Sequence, residues 1–206
     1  MHDRLAAARL YLVCDEPDDA FLEAALDGGV QIVQLRCKHA SEEQILAAAA
    51  RVRAACRRHG ALAILNDRPD LARRAGLDGV HVGQDDLPVA QARAIVGREA
   101  IVGLSTHSPA QIEAAEGIDY IGVGPVHATP TKPGRPAVGL ELVRYAAAHA
   151  RVPFFAIGGI NPENAGAVVT AGAERLAVVR AITGAADPAG VARTLRDALE
   201  VGVGAT

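Results

Sequence analysis

The sequence predicts an α/β fold, a single (β/α)8 or TIM barrel occupying residues 1–206. Three observations predict it. Eight short runs rich in Val, Ile and Leu recur along the chain, and helix-like stretches separate them. Several runs, such as Ile101–Leu104 and Leu176–Val179, are continuously apolar rather than alternating, which marks strands covered on both faces. No linker or low-complexity segment divides the chain, and 206 residues lie at the compact end of what such a barrel needs, about 200.

The strand candidates are Leu10–Val13, Ile32–Leu35, Leu62–Leu65, Gly79–Val82, Ile101–Leu104, Tyr120–Val123, Pro153–Ile157 and Leu176–Val179. The first helix candidate, Pro17–Gly28, carries Phe21, Leu22, Ala25 and Leu26 at helical spacing. Ser41 opens the next, with Glu43 and Gln44 placed for capping, and Gly60 stops it after about Arg58. Asp67–Arg68–Pro69 starts a helix ending near Gly76, and Pro88–Val96, Ser108–Glu116, Gly139–His149, Asn161–Ala171 and Asp187–Val201 complete the set. Ser108, Asn161 and Asp187 each precede a Pro, a cap residue followed by the imino acid suited to the first helical position. Repeated strand–helix alternation implies a parallel sheet, which right-handed crossovers close into a barrel. The alternative is an open doubly wound sheet, but the first strand ends in Cys14–Asp15–Glu16–Pro17 without the glycine loop of that fold.

Composition narrows the function classes. Hydrophobic residues make up 50% and charged residues 22%, an ordinary soluble globular balance. Aromatics reach only 3% with no Trp, which disfavours base-stacking platforms, and a net charge of −3 gives no pull toward nucleic acid or anionic membrane. Cys14, Cys37 and Cys56 form no CxxC pair, so a zinc site or disulfide framework is not expected and a reducing cytoplasm fits. Residues 1–13 contain Asp3, Arg4 and Arg9 rather than a signal-peptide core, and no apolar run suggests a membrane span.

Polar residues gather after the strands, and in a barrel those positions meet at one rim, where such enzymes keep their active sites. Arg36 and Lys38, spaced by two, would share a strand face and suit a polyanion such as diphosphate. A solvated strand end explains that pair equally well. Asp67 and Asp86 follow neighbouring strands and suit Mg²⁺, which takes one or two carboxylates plus substrate oxygens. The plain alternative is that they cap the helices at Pro69 and Pro88. Thr129, Thr131 and Lys132 lie on a Pro-rich loop, Gly124–Val138, whose length points to function. Gly158–Gly159 feeds a helix N-terminus able to hold a phosphate, although turns use glycine anyway. His81 and His107 are acid–base candidates, with His81 on the inward strand parity and therefore also a structural candidate. His2, His39, His59 and His149 read as surface residues. Cys37, between two cations, is expected to favour its thiolate, with no catalytic task assigned.

From Tyr11 to about Ile182 the chain resembles the thiamine phosphate synthase family. The resemblance rests on Gln34-Leu35-Arg36-x-Lys38, Asn66–Asp67, His81-x-Gly83-Gln84-x-Asp86, Gly103-x-Ser105, Thr129-x-Thr131-Lys132 and Ile157–Ile160, in family order after successive strands. It implies an enzyme joining 4-amino-2-methyl-5-pyrimidinylmethyl diphosphate to a thiazole phosphate, giving thiamine phosphate and pyrophosphate. It further implies that Asp67 and Asp86 hold Mg²⁺, that Arg36, Lys38, Asn66 and Lys132 hold the diphosphate, and that Gln34 lies at the same pocket. By the same resemblance Ser105 contacts the pyrimidine, Thr129 and Thr131 meet the thiazole phosphate, and Gly158, Gly159 and Val179 lie near its phosphate. The implied mechanism is dissociative: diphosphate leaves first, and the thiazole nitrogen captures a pyrimidinylmethyl cation. Such enzymes resemble homodimers in assembly. One departure stands out, since the family often has Ser where this chain has Arg180, which either adds a cation for the thiazole phosphate, alters that half-site or faces solvent.

Three rival readings differ in class or substrate. A thiazole tautomerase needs no diphosphate site, and Arg36, Lys38, Asn66, Asp67, Asp86 and Lys132 argue against it. A non-catalytic phosphate-ligand sensor on the same barrel would not need the carboxylate pair. A sugar-phosphate isomerase would not carry the complete motif set.

Overall fold

The computed structural model describes residues 1–129 and 136–201. Its strands are β1 Leu10–Cys14, β2 Ile32–Leu35, β3 Leu62–Asn66, β4 Gly79–Val82, β5 Ile101–Thr106, β6 Tyr120–Val123, β7 Phe154–Ile157 and β8 Leu176–Val178. All pair in parallel in chain order, and β8 returns to β1, closing the barrel predicted from the sequence. The helices are α1 His2–Ala7, α2 Asp19–Asp27, α3 Glu42–His59, α4 Pro69–Ala75, α5 Val89–Val96, α6 Pro109–Glu113, α7 Gly139–His149, α8 Ala165–Thr170, α9 Arg180–Thr183 and α10 Pro188–Val201.

The strand pleat sorts the side chains into two cores, because successive residues point to opposite faces. Leu10, Leu12, Val33, Leu35, Val80 and Val102 face the helices, while Tyr11, Val13, Ile32, Ile64, Ile101 and Phe155 fill the barrel. Leu5 and Ala8 join the interior set, so the chain around α1 packs onto the barrel core. The interior aromatics Tyr11, Tyr120 and Phe155 meet edge-to-face with centroids 5.2–5.8 Å apart, a favoured geometry for ring pairs. Their bulk requires a small neighbour: a Cβ on Gly103 would lie 2.1 Å from Tyr120 Cζ.

Local signals explain the helix ends. Ser41 and Gln44 form a reciprocal capping box on α3, and Gly60 ends it in the left-handed conformation with φ 67°. Ser108 accepts from Gln111 N at 3.3 Å, and Asp187 accepts from Gly190 N at 2.9 Å. Asn161 differs from expectation: its Oδ1 accepts from Glu163 N and Asn164 N within a turn, and α8 begins only at Ala165. The sequence reading also lacked α1 and α9, the latter only four residues long. No helix among the described residues is long and apolar enough to cross a membrane.

Candidate active site

The upper ends of the strands build one cavity of about 310 Å³. Inward-facing Val13, Gln34, Asn66, His81, Ser105 and Ile157 form its floor and walls. Arg36, His107, Thr129, Gly158, Gly159, Val179 and Arg180 line it from the loops that follow. Its walls are mostly apolar with a few convergent polar groups, the usual character of a small-molecule site.

Asp67 and Asp86 come together at this rim. Asp67 adopts a left-handed backbone, φ 62°, which Asp tolerates better than most residues, and its N–H donates to His81 O at 2.8 Å. Neither carboxylate caps a helix as the plain alternative required. The N-cap positions of α4 and α5 are Arg68 and Pro88, without side-chain cap bonds, and Asp86 Oδ2 accepts from Gly83 N at 2.8 Å. Burial raises the Asp67 carboxyl above its ordinary range, and the hydrogen-bonded Asp86 carboxylate raises it further. Lys38 and the Asn66 side chain oppose that rise, Lys38 Nζ lying 3.8 Å from Asp67 Oδ2. Two carboxylates in contact, with one of them resisting ionisation, form a donor set that fits a hard divalent cation. Among the described residues no cluster of three or more His, Cys, Asp or Glu could hold a metal, so such a cation would need oxygens from substrate or water.

The expected shared strand face of Arg36 and Lys38 requires correction. β2 ends at Leu35, so both residues stand in the loop beyond it. Arg36 lines the cavity, its backbone N–H fixed by Cys14 O at 2.8 Å, while Lys38 reaches Asp67. The nearby Arg68 is already engaged by Asp70 and Glu42 at 2.6 Å each. Cys37 requires correction too: burial is the dominant influence and pushes its thiol up to about 11, with Asp15 adding to the rise and a backbone hydrogen bond at Glu16 opposing it. The thiolate expected from the flanking cations is therefore disfavoured.

On the other side of the cavity, Gly158 and Gly159 form the turn after β7 with φ 109° and 64°. A Cβ on Gly158 would lie 2.5 Å from Pro125 Cα, so a side chain has no room there. Their carbonyls accept from His127 N and Asn164 Nδ2, each at 2.9 Å. Val179 is the N-cap of α9 rather than a strand residue, and Arg180 begins that helix beside the cavity. Thr131 and Lys132 lie outside the described residues.

His81 proves to belong to the site as well as to the core, with Nε2 2.9 Å from Ser105 Oγ. His107 lines the cavity and bonds through Nδ1 to Gly124 O. Sequence reasoning missed Tyr11 and Tyr120, which are buried and line the cavity. Their inward strand parity was the available signal.

Comparison with known proteins identifies the family of the chain. The family profile described as thiamine monophosphate synthase matches residues 10–182. A thiamine-phosphate synthase of Gloeobacter violaceus is 54% identical over 192 residues, covering 91% of this chain but 56% of that longer protein. One from Thermobifida fusca is 52% identical, covering 95% of this chain and 94% of its own. The solved structure of a thiamine phosphate pyrophosphorylase from Pyrococcus furiosus superposes with a TM-score of 0.88 at 31% identity, covering 98% of both chains.

Proposed function

This chain belongs to the thiamine monophosphate synthase family, a family of transferases, and from that premise we propose how its rim cavity makes thiamine phosphate. The substrates are the small molecules 4-amino-2-methyl-5-pyrimidinylmethyl diphosphate and a thiazole phosphate. The C–O bond to diphosphate breaks, pyrophosphate leaves, and the thiazole nitrogen supplies the electron pair for the new C–N bond. The observation that carries this reading is the Asp67–Asp86 carboxylate pair with Lys38 Nζ 3.8 Å from Asp67, next in the chain to Asn66, which with Arg36 lines the mostly apolar cavity.

Asp67 and Asp86 would hold Mg²⁺. When bound, the ion neutralises charge on the departing diphosphate. Arg36, Lys38 and Lys132 supply positive charge to the same group, and Asn66 adds an amide. Gln34 and Ser105 hold the pyrimidine. Val13, Ile157 and Val179 exclude water, which would otherwise compete for the electron-deficient carbon. Thr129, Thr131, Arg180 and the Gly158–Gly159 turn hold the thiazole phosphate. The thiazole nitrogen is already a free lone pair, so the bond-forming step needs no general base.

The free thiols of Cys14, Cys37 and Cys56 support a cytoplasmic enzyme. The family resemblance supports a homodimer. The test is turnover of Asp67→Ala, Asp86→Ala and Lys132→Ala. Each is expected to lose about 10²–10³ in rate while remaining folded. Near-wild-type turnover in all three would overturn the assignment.

A further inference from the structure

A chain of hydrogen bonds crosses the barrel beneath the cavity. Gln34 Nε2 donates to Tyr11 Oη at 2.6 Å, Tyr11 Oη lies 2.8 Å from Tyr120 Oη, Tyr120 Oη lies 3.0 Å from His81 Nδ1, and His81 Nε2 lies 2.9 Å from Ser105 Oγ. Gln34, Tyr11, Tyr120 and His81 are 4%, 2%, 0% and 8% exposed, so water does not compete along the chain. Buried polar groups of this kind must be satisfied by one another.

The proton count sets a direction. Each tyrosine hydroxyl carries one proton. Tyr11 Oη accepts from Gln34, and Tyr120 Oη is the acceptor within reach of its own proton, so the arrangement that satisfies every buried hydroxyl has Tyr11 donating to Tyr120. Tyr120 in turn gives its own to His81 Nδ1. A neutral imidazole that accepts at Nδ1 carries its proton on Nε2, so His81 donates to Ser105 Oγ. The Ser105 hydroxyl proton is then left to point into the cavity, and Gln34 keeps its carbonyl oxygen as an acceptor. The two ends of one chain thus offer opposite polarities to the same ligand.

We infer that Tyr11, Tyr120 and His81 are positioning residues that fix Ser105 as a hydrogen-bond donor and Gln34 as an acceptor, matched to a ring nitrogen and the amino group of an aminopyrimidine. This rests on the synthase reading and goes beyond it. The match is directional: turning the Gln34 amide over would reverse every bond in the chain and present Ser105 as an acceptor. A ring nitrogen would then face a lone pair.

The test is a double-mutant cycle on Tyr120→Phe and Ser105→Ala, read as kcat and KM for the pyrimidine diphosphate. Wild-type turnover in the same assay separates failure of the synthase reading from failure of this one. Tyr120→Phe alone is expected to raise KM about tenfold, the worth of one neutral hydrogen bond, with a smaller change in kcat. In the Ser105→Ala background the same substitution is expected to change KM less than about twofold. Equal losses in both backgrounds, or none in either, would overturn the proposal; Tyr11→Phe repeats the cycle if Tyr120→Phe does not fold. The wild-type protein gives a further readout by ¹⁵N NMR of its histidines. His81 protonated on Nε2 is the expected result, and protonation on Nδ1 overturns the inference whether or not the variants fold.

Discussion

Asp67→Asn is expected to move stability and activity in opposite directions. The side chain sits partly buried against Asp86, with the half-exposed Lys38 at 3.8 Å and the Asn66 side chain offsetting the repulsion in part. An exposed ion pair of that kind contributes about 0–1 kcal/mol. The burial penalty and the Asp86 carboxylate outweigh it, since the net effect on the Asp67 carboxyl is upward. Asn keeps the shape and tolerates the left-handed backbone, so the variant removes the charge without straining the loop. The metal-free variant should gain on the order of 1 kcal/mol at neutral pH, roughly 2–4 °C in melting temperature for a chain of this size. The pH dependence follows from the raised carboxyl: the native state holds the Asp67 proton more tightly than the unfolded chain does. Its stabilising effect is full below about pH 4 and is lost as pH rises through the folded-state value. The variant's advantage should therefore vanish in acid and be complete at pH 7. Turnover with Mg²⁺ should fall about 10²–10³-fold. Thermal unfolding in EDTA at two pH values, paired with a turnover assay, reads both effects. An Asn variant less stable than wild type in EDTA at pH 7 would refute the reasoning.

Further outcomes follow from particular contacts. Gly103→Ala places a Cβ against the Tyr120 ring and should cost about 1–3 kcal/mol by overpacking, measured by denaturant unfolding. Cys37, its thiol pushed up to about 11, should react with iodoacetamide at pH 7 more slowly than a free cysteine, and fast alkylation would contradict the burial argument. Arg180→Ala should raise KM for the thiazole phosphate about tenfold or more and leave KM for the pyrimidine diphosphate nearly unchanged, as expected for loss of a charge-assisted hydrogen bond on one side of the cavity.

The barrel was legible because its signals are repetitive and local. Apolar runs such as Ile101–Leu104 mark buried parallel strands, and Ser41, Gly60 and Asp187 bound helices by their own side-chain or backbone chemistry. α9 was not legible, since a four-residue helix carries no periodicity to read. At the rim, sequence order identified the strand ends that converge, but not how each side chain is used. Taken alone, Asp67 and Asp86 read as helix caps, whereas the fold brings them into contact with each other, and Asp86 accepts from Gly83 N. Arg36 and Lys38 read as strand neighbours, whereas β2 stops one residue short of them. Cys37 shows the same limit, because the burial that governs its thiol is a property of the tertiary structure. The Tyr11–Tyr120–His81 chain joins residues 109 and 39 positions apart, a separation that no local pattern encodes.

The most direct test of the central claim is product formation by the purified protein. The protein would be mixed with the pyrimidine diphosphate, the thiazole phosphate and Mg²⁺, with EDTA as control, and thiamine phosphate and pyrophosphate followed together. The account predicts both products in equal amounts, and neither in EDTA. Folded protein that binds thiazole phosphate yet forms no thiamine phosphate would contradict it.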